Sequence, residues 1–275
     1  MSLILRLMMK ALWNRRMSVA LAIITLSLSV ALFLSVTRVQ QAARDGFERS
    51  IAGVDLIVGA RGSDIQILLY SVFRLGDATR DFRWSSYEAV LENPQVDWAV
   101  PIALGDSHQG FRVAGTTNDY FEHIKYGSNR SLAFAKGNHM TDLFDVVIGA
   151  KVAQALNYDL GDRILVAHGT VSTGAAMHDD LPFQIAGILE PTGTAIDETL
   201  LISMEAITAI HVGWESGRKL KRGNADKLRA DYAAGRLGAR RLTAAFVGLK
   251  SKLRLFRVQK AIQEYDSEAL SAVMP

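Results

Sequence analysis

The apolar residues Leu3, Ile4, Leu7, Met8, Ala11 and Leu12 recur three and four apart, with Arg6 and Lys10 on the other side. That spacing predicts an amphipathic helix over 1–16. Trp13 falls where an interfacial aromatic belongs. Residues 17–36 read MSVALAIITLSLSVALFLSV, twenty in a row without a charge. As a helix this run covers about 30 Å, the thickness of a bilayer core. Its polar residues are Ser and Thr, which can bond back to the helix's own carbonyls. From Thr37 the pattern turns polar with scattered Val39, Ala42, Ala43, Phe47 and Ile51. It predicts a helix that continues out of the apolar run and ends by Gly53.

Beyond Gly53 the pattern shortens. Residues 54–58 (VDLIV) predict a strand, followed by a glycine-rich turn at 59–63. The apolar stretch 65–75 suits a helix or a strand. Ser85 is placed to cap a helix over 86–93 that Pro94 ends. From 96 to 114, apolar runs broken by Pro101, Gly105 and Gly110 predict a series of strands. A helical turn is expected at 120–124, a strand at 145–148, a helix at 149–156 and a turn at 158–162. Strands at 163–168 and 183–189 should pair around a loop at 169–182. A strand at 199–203 and a helix at 204–211, with Ile207 and Ile210 inward, follow. Residues 218–241 are rich in Lys, Arg, Gly and Ala and read as an exposed basic insertion. A strand at 244–250 and an amphipathic helix at 255–265, with Val258, Ile262 and Tyr265 on one side, close the chain. Strands and helices mix without strict alternation, so the class is α+β.

Composition changes this picture once the charges are located. The chain has 275 residues, 49% of them hydrophobic, which excludes a disordered protein. The absence of cysteine excludes a disulfide scaffold, a thiolate zinc site and a cysteine nucleophile. The formal charge is +3, but residues 1–36 hold Arg6, Lys10, Arg15 and Arg16 and no acid, leaving 27 basic against 28 acidic residues for 37–275. The basic excess is therefore a flank of the apolar run. By the positive-inside rule the N-terminus is cytoplasmic and 37–275 is exported. A cleaved signal peptide is the rival reading. The long apolar run and the poor cleavage site at Ser35-Val36-Thr37-Arg38 favour a retained anchor. A second imbalance lies at 218–257, with thirteen Lys and Arg against Asp226 and Asp231. On the exported side, and with Tyr232 its one aromatic before Phe246, it reads as a solvated insertion or a lipid-headgroup contact. It does not read as a nucleic-acid site.

Candidate chemistry is sparse. Gly59-Ala60-Arg61-Gly62-Ser63 lacks the lysine of a P-loop and reads as a turn whose glycines supply positive φ. In Gly169-Thr170-Val171-Ser172-Thr173-Gly174 the serine lies one residue too far from the first glycine for a nucleophile elbow. His178-Asp179-Asp180 offers an imidazole and carboxylates, but neighbours on an extended chain point to opposite faces. Histidines 108, 123, 139, 168 and 211 are scattered. No catalytic, cofactor-binding or metal residue is assigned, and no cofactor is expected.

Several segments form an ordered set: Leu12-Trp13-Asn14-Arg15-Arg16 before the span, and 54–63 (VDLIVGARGS) with 68–73 (LLYSVF). They continue with 147–153 (VIGAKVA), Leu160-Gly161-Asp162, 183–189 (FQIAGIL), Pro191-Thr192-Gly193-Thr194 and Asp197. In this order, which covers nearly the whole chain, they resemble ABC-transporter permeases of the MacB/FtsX/LolC type. The resemblance implies one transmembrane helix, a stalk and a periplasmic core domain over 37–275. Within that domain, about 40–100 and 200–270 would form a porter-like α/β subdomain and 101–199 a small β-rich insertion.

It also implies function. Such permeases are non-catalytic membrane subunits that work as homodimers or heterodimers in the bacterial inner membrane. ATP hydrolysis in an ABC ATPase moves the spans, and the periplasmic domain handles a lipoprotein, peptide or other envelope substrate, or meets a periplasmic partner. The family carries three further spans after this domain. The sequence stops at Met274-Pro275, so it is expected to be the front part of a longer permease. A membrane-anchored envelope scaffold or binding protein without transport is the alternative. A membrane-anchored exported hydrolase is a further one, and substitution of Ser172 and His178 would expose it.

Overall fold

The structure is a computed structural model that describes residues 3–168, 181–212 and 225–275. It divides into two compact units, 1–47 and 48–275. The first unit holds α1 (Leu3–Asn14) and most of α2 (Arg16–Ser50), which meet at Arg15. The amphipathic spacing and the apolar run thus both become helix. Arg16–Ala42 is long and apolar enough to cross a membrane. Its side chains are exposed on every side, with Leu21, Ile24, Leu28 and Phe33 all more than half exposed. The polar residues behave as their chemistry requires: Thr25, Ser29 and Ser35 each donate to the carbonyl four residues back, at 2.9, 2.9 and 2.7 Å.

The second unit is built on one large sheet. Its first elements are β1 (Leu56–Ala60), α3 (Asp64–Phe73), β2 (Phe82–Arg83), α4 (Trp84–Leu91), β3 (Val96–His108) and β4 (Phe111–Thr116). Next come α5 (Asp119–His123), β5 (Lys125–Tyr126), β6 (Arg130–Ser131), β7 (Phe134–Gly137), β8 (Asp145–Ile148) and α6 (Ala150–Leu156). β9 (Arg163–Ile164), β10 (Ala167–His168), β11 (Phe183–Leu189), β12 (Thr199–Ser203) and α7 (Met204–His211) follow. The last are α8 (Ala225–Ala233), β13 (Arg241–Leu242), β14 (Ala244–Leu249), α9 (Leu255–Gln263) and β15 (Leu270–Val273). The main sheet runs β15-β1-β14-β3-β4-β12-β8-β11-β7. It is mixed: β12 lies parallel to β4 and β11 parallel to β8, while the other pairs along that path are antiparallel.

The series of strands expected over 96–114 is instead one thirteen-residue strand and a hairpin partner. β3 runs through Pro101 because that residue pairs with Ala245 and its carbonyl still accepts from Thr116 Oγ1 at 2.8 Å. Gly105 marks a register shift between Leu104 and Asp106, a β-bulge. Up to Ile102, β3 pairs with β14, and from Ala103 it pairs with β4. One strand therefore serves two cores. The first gathers Leu56, Val58, Phe82, Val90, Val247, Val258 and Ile262 between the sheet and helices α4 and α9. The second gathers Val113, Phe144, Ile148, Val152, Phe183, Leu200 and Ile210. Ile207 packs against both.

Three further expectations change. Ser85 lies inside α4, whose N-cap is Arg83, and Ser86 Oγ donates to Glu268 at 2.6 Å. Only Arg163 and Ile164 pair with β11; Ala167 and His168 turn away to pair with β3. Within the segment read as an exposed insertion, Leu228 is buried, and Ala225, Tyr232 and Leu237 pack on the second core, so that part is anchored by one apolar strip. Residues 218–224 lie outside the described residues.

Candidate functional site

In the motif 59–63, Gly59 and Ala60 end β1. Neither Gly59 nor Gly62 has positive φ, contrary to the turn reading. Gly59 sits at a close approach: a Cβ there would meet Tyr70 Oη at 3.0 Å and Ile67 Cδ1 at 3.2 Å, and both side chains would have to give way. The Arg61 guanidinium donates to the carbonyls of Gln263 and Leu270. Asp55, one residue ahead of β1, accepts from Leu249 N at 2.8 Å and fixes the β1–β14 edge.

The motifs at 147–153 and 191–197 come together. Gly149 is the N-cap of α6, and a Cβ on it would overlap the carbonyls of Ile196 and Asp197. Asp197 Oδ1 accepts from Thr192 N and Thr192 Oγ1 at 2.8 and 2.7 Å, and Oδ2 from Gly193 N at 2.8 Å. Lys151 pairs with Glu198 beside them. These residues lock the entry to β12 against α6, which is a structural task.

The histidines are dispersed. His108 is buried; a carbonyl can only accept, so Nδ1 donates to Leu165 O at 2.7 Å. Nε2 faces Tyr158 Oη at 2.9 Å, and burial holds the imidazole below its ordinary pKa, partly offset by the Leu165 bond. His123 stacks on Trp98 with the rings 6° from parallel. His139 is exposed. Ser172, His178, Asp179 and Asp180 lie outside the described residues. Among the described residues no three His, Cys, Asp or Glu side chains converge as a metal-binding group.

A cleft lies where β3 changes partner. It has a volume of about 450 Å³ and opens between the Gly105 bulge, α7 and residues 240–243. Ala103, Ile207 and Leu242 give it an apolar lining. Asp106, with its side chain 3% exposed, lies 3.9 Å from His211 Nε2, while His211 Nδ1 meets Ile207 O at 2.7 Å. Arg241 pairs with Asp81 at 2.7 Å, and Arg240 is exposed beside it. Both hydroxyls are committed to backbone, Thr208 to Gly238 O at 3.1 Å and Thr243 to Ile102 O at 3.0 Å. The arrangement suits binding at a junction between two cores. Sequence reading passed over Asp106, although the polar triplet Gly105-Asp106-Ser107 inside an apolar strand marks the place.

A family profile described as the MacB-like periplasmic core domain matches residues 19–265. The chain belongs to that family. The matched stretch takes in the apolar helix and both cores. The chain thus carries a MacB-like periplasmic core domain, and the matched stretch begins within the apolar helix Arg16–Ala42. Among solved structures, the periplasmic region of MacB from Actinobacillus actinomycetemcomitans is 12% identical, with 82% of this chain and 91% of that chain covered and a TM-score of 0.49. The extracellular domain of the noncanonic ABC-type transporter YknZ from Gram-positive bacteria is 10% identical, with 81% and 98% covered and a TM-score of 0.41. Among curated proteins nothing matches.

Proposed function

We propose that the protein is a non-catalytic permease subunit of an ATP-driven transporter. Its N-terminus is cytoplasmic, α2 crosses the inner membrane, and the domain over 37–275 is periplasmic. An ABC ATPase supplies the motion, and the periplasmic domain acts on a lipoprotein, peptide or other envelope substrate. The permease works as a dimer. The observation that carries this reading is the family match from 19 to 265, which joins the apolar helix to the domain in one continuous stretch. Four basic residues before the apolar run support the orientation. The porter-like part is proposed for about 40–100 and 200–270 and the β-rich part for 101–199.

Purification of the full-length gene product from native membranes tests the proposal. An ABC ATPase should co-purify, and the complex should hydrolyse ATP in a way that a Walker-lysine substitution in the ATPase abolishes. A stable protein recovered without any ATPase, from cells where the gene is active, would overturn it. Hydrolase activity lost on substitution of Ser172 or His178 would replace it with an enzyme reading.

A further inference from the structure

At the start of α9 the chain turns its apolar residues outward. Leu253 is 95% exposed and Phe256 72% exposed. They are three residues apart, at a helical turn over Lys252–Arg254 that leads into α9. The core does not need them, because α9 packs inward through Val258 and Ile262. Lys250, Lys252, Arg254, Arg257 and Lys260 surround them, and no acid occurs between Asp231 and Glu264. Arg254 and Arg257 make no ion pair with another described residue, and Lys252 reaches Asp55 only at 3.7 Å. A water-exposed Leu and Phe set among five cations is the pattern of an interfacial segment: the apolar side chains enter the acyl boundary and the cations meet anionic headgroups.

The chain also provides reach. Asp55, which Lys252 approaches, follows Val36 at the end of the apolar run by nineteen residues. Tethering to the bilayer raises the local lipid concentration enough for a weak contact to be populated. We propose that the Leu253–Phe256 turn is a docking site for an anionic lipid surface, on the same side of the membrane as the domain. The inference goes beyond the transport reading and rests on it only in that α2 spans the bilayer.

The absence of native cysteine permits single-site labelling of the full chain. Nitroxides at Leu253→Cys, at Leu26→Cys in the apolar run and at Leu160→Cys, exposed in the turn after α6, are compared in lipid nanodiscs. Collision with oxygen reports lipid, and collision with a water-soluble nickel chelate reports solvent. In discs rich in phosphatidylglycerol the Leu253 label should read lipid, as Leu26 does, and in pure phosphatidylcholine it should read solvent, as Leu160 does. Each cation near an anionic surface is worth roughly fivefold, so Lys252→Gln with Arg254→Gln should lower the docked-to-free ratio about 25-fold. A solvent reading at Leu253 in anionic discs, with Leu26 in lipid, overturns the docking alone. A solvent reading at Leu26 overturns the span and the docking together. Protection of Leu253 that is equal in neutral and anionic discs assigns the turn to a protein contact and overturns the lipid site.

Discussion

Replacing Gly149 by alanine tests whether the contact between 147–153 and 191–197 holds the second core together. Gly149 has φ −70° and ψ 156°, a conformation alanine adopts without strain. By itself the change should stabilise, since alanine restricts the unfolded chain and gains about 0.4–1 kcal/mol at a compatible site. Against that, the new Cβ would overlap the carbonyl oxygens of Ile196 and Asp197 and the carbonyl carbon of Asp197. All three are backbone, on a loop that Asp197 pins with three hydrogen bonds and that leads directly into β12. No side-chain rotation relieves the clash. Overpacking of this kind costs about 1–3 kcal/mol, and the rigid neighbours place it at the upper end. The steric cost therefore outweighs the entropic gain, with a net loss of roughly 1–2.5 kcal/mol. For a domain of this size that is a fall of about 2–10 °C in melting temperature. Tryptophan fluorescence during thermal unfolding of the full chain in detergent would measure it. Gly62→Ala is the control: Gly62 has no positive φ and its nearest atom is Ala60 O at 3.8 Å, so the same substitution should be neutral or stabilising. Equal melting temperatures for the two variants would refute the reasoning.

Three other outcomes follow from the geometry. Thr243→Val removes the hydroxyl that donates to Ile102 O at 3.0 Å and accepts from Leu104 N at 3.2 Å, and should cost about 1–3 kcal/mol in urea unfolding, because it leaves a partly buried N–H unmatched. Tyr70→Phe deletes the bond from Tyr70 Oη to Thr243 O at 3.0 Å and should cost about 0.5–1.5 kcal/mol; in the parent, ultraviolet titration should show this tyrosine ionising late, since burial pushes it up to about 12. The folded state holds His108 below its ordinary pKa, so its contribution is complete above about pH 6.5 and is lost as pH falls from there toward the folded value, while the unfolded chain takes up the proton first. His108→Gln should flatten that acid limb of a stability-against-pH curve, and an unchanged slope would show that the imidazole is not responsible.

Much of the fold was legible because local periodicity decided it. The twenty uncharged residues from Met17 to Val36 and the period of Val258 and Ile262 admit few other structures. Strands 145–148 and 199–203 and helix 204–211 agree with the pattern residue for residue. The failures share a cause, which is that long-range pairing is not written locally. Pro101 and Gly105 look like breaks, yet β14 and β4 supply partners on either side and carry one strand through both. Strand 163–168 splits because its two halves find different neighbours. Leu228 looks isolated in a basic stretch and is buried because the second core is there to receive it. The cleft was invisible for the same reason, since Asp106 and His211 lie a hundred residues apart and meet only across the bulge.

The partner exchange along β3 gives the domain a mechanical property. A strand that belongs to two cores joins them in series through its own backbone. A pull applied at the Val96 end is borne by the bonds to β14 up to Ile102 and passes to β4 from Ala103, where the Gly105 bulge soon interrupts the second ladder. Shear loads many ladder bonds at once, while a bulge is where a ladder is already interrupted. The bulge is therefore the weak place in the β4 ladder, two residues from the exchange of partners, and the cleft beside it is lined by Ala103, Leu104, Gly105 and Asp106 from that same stretch.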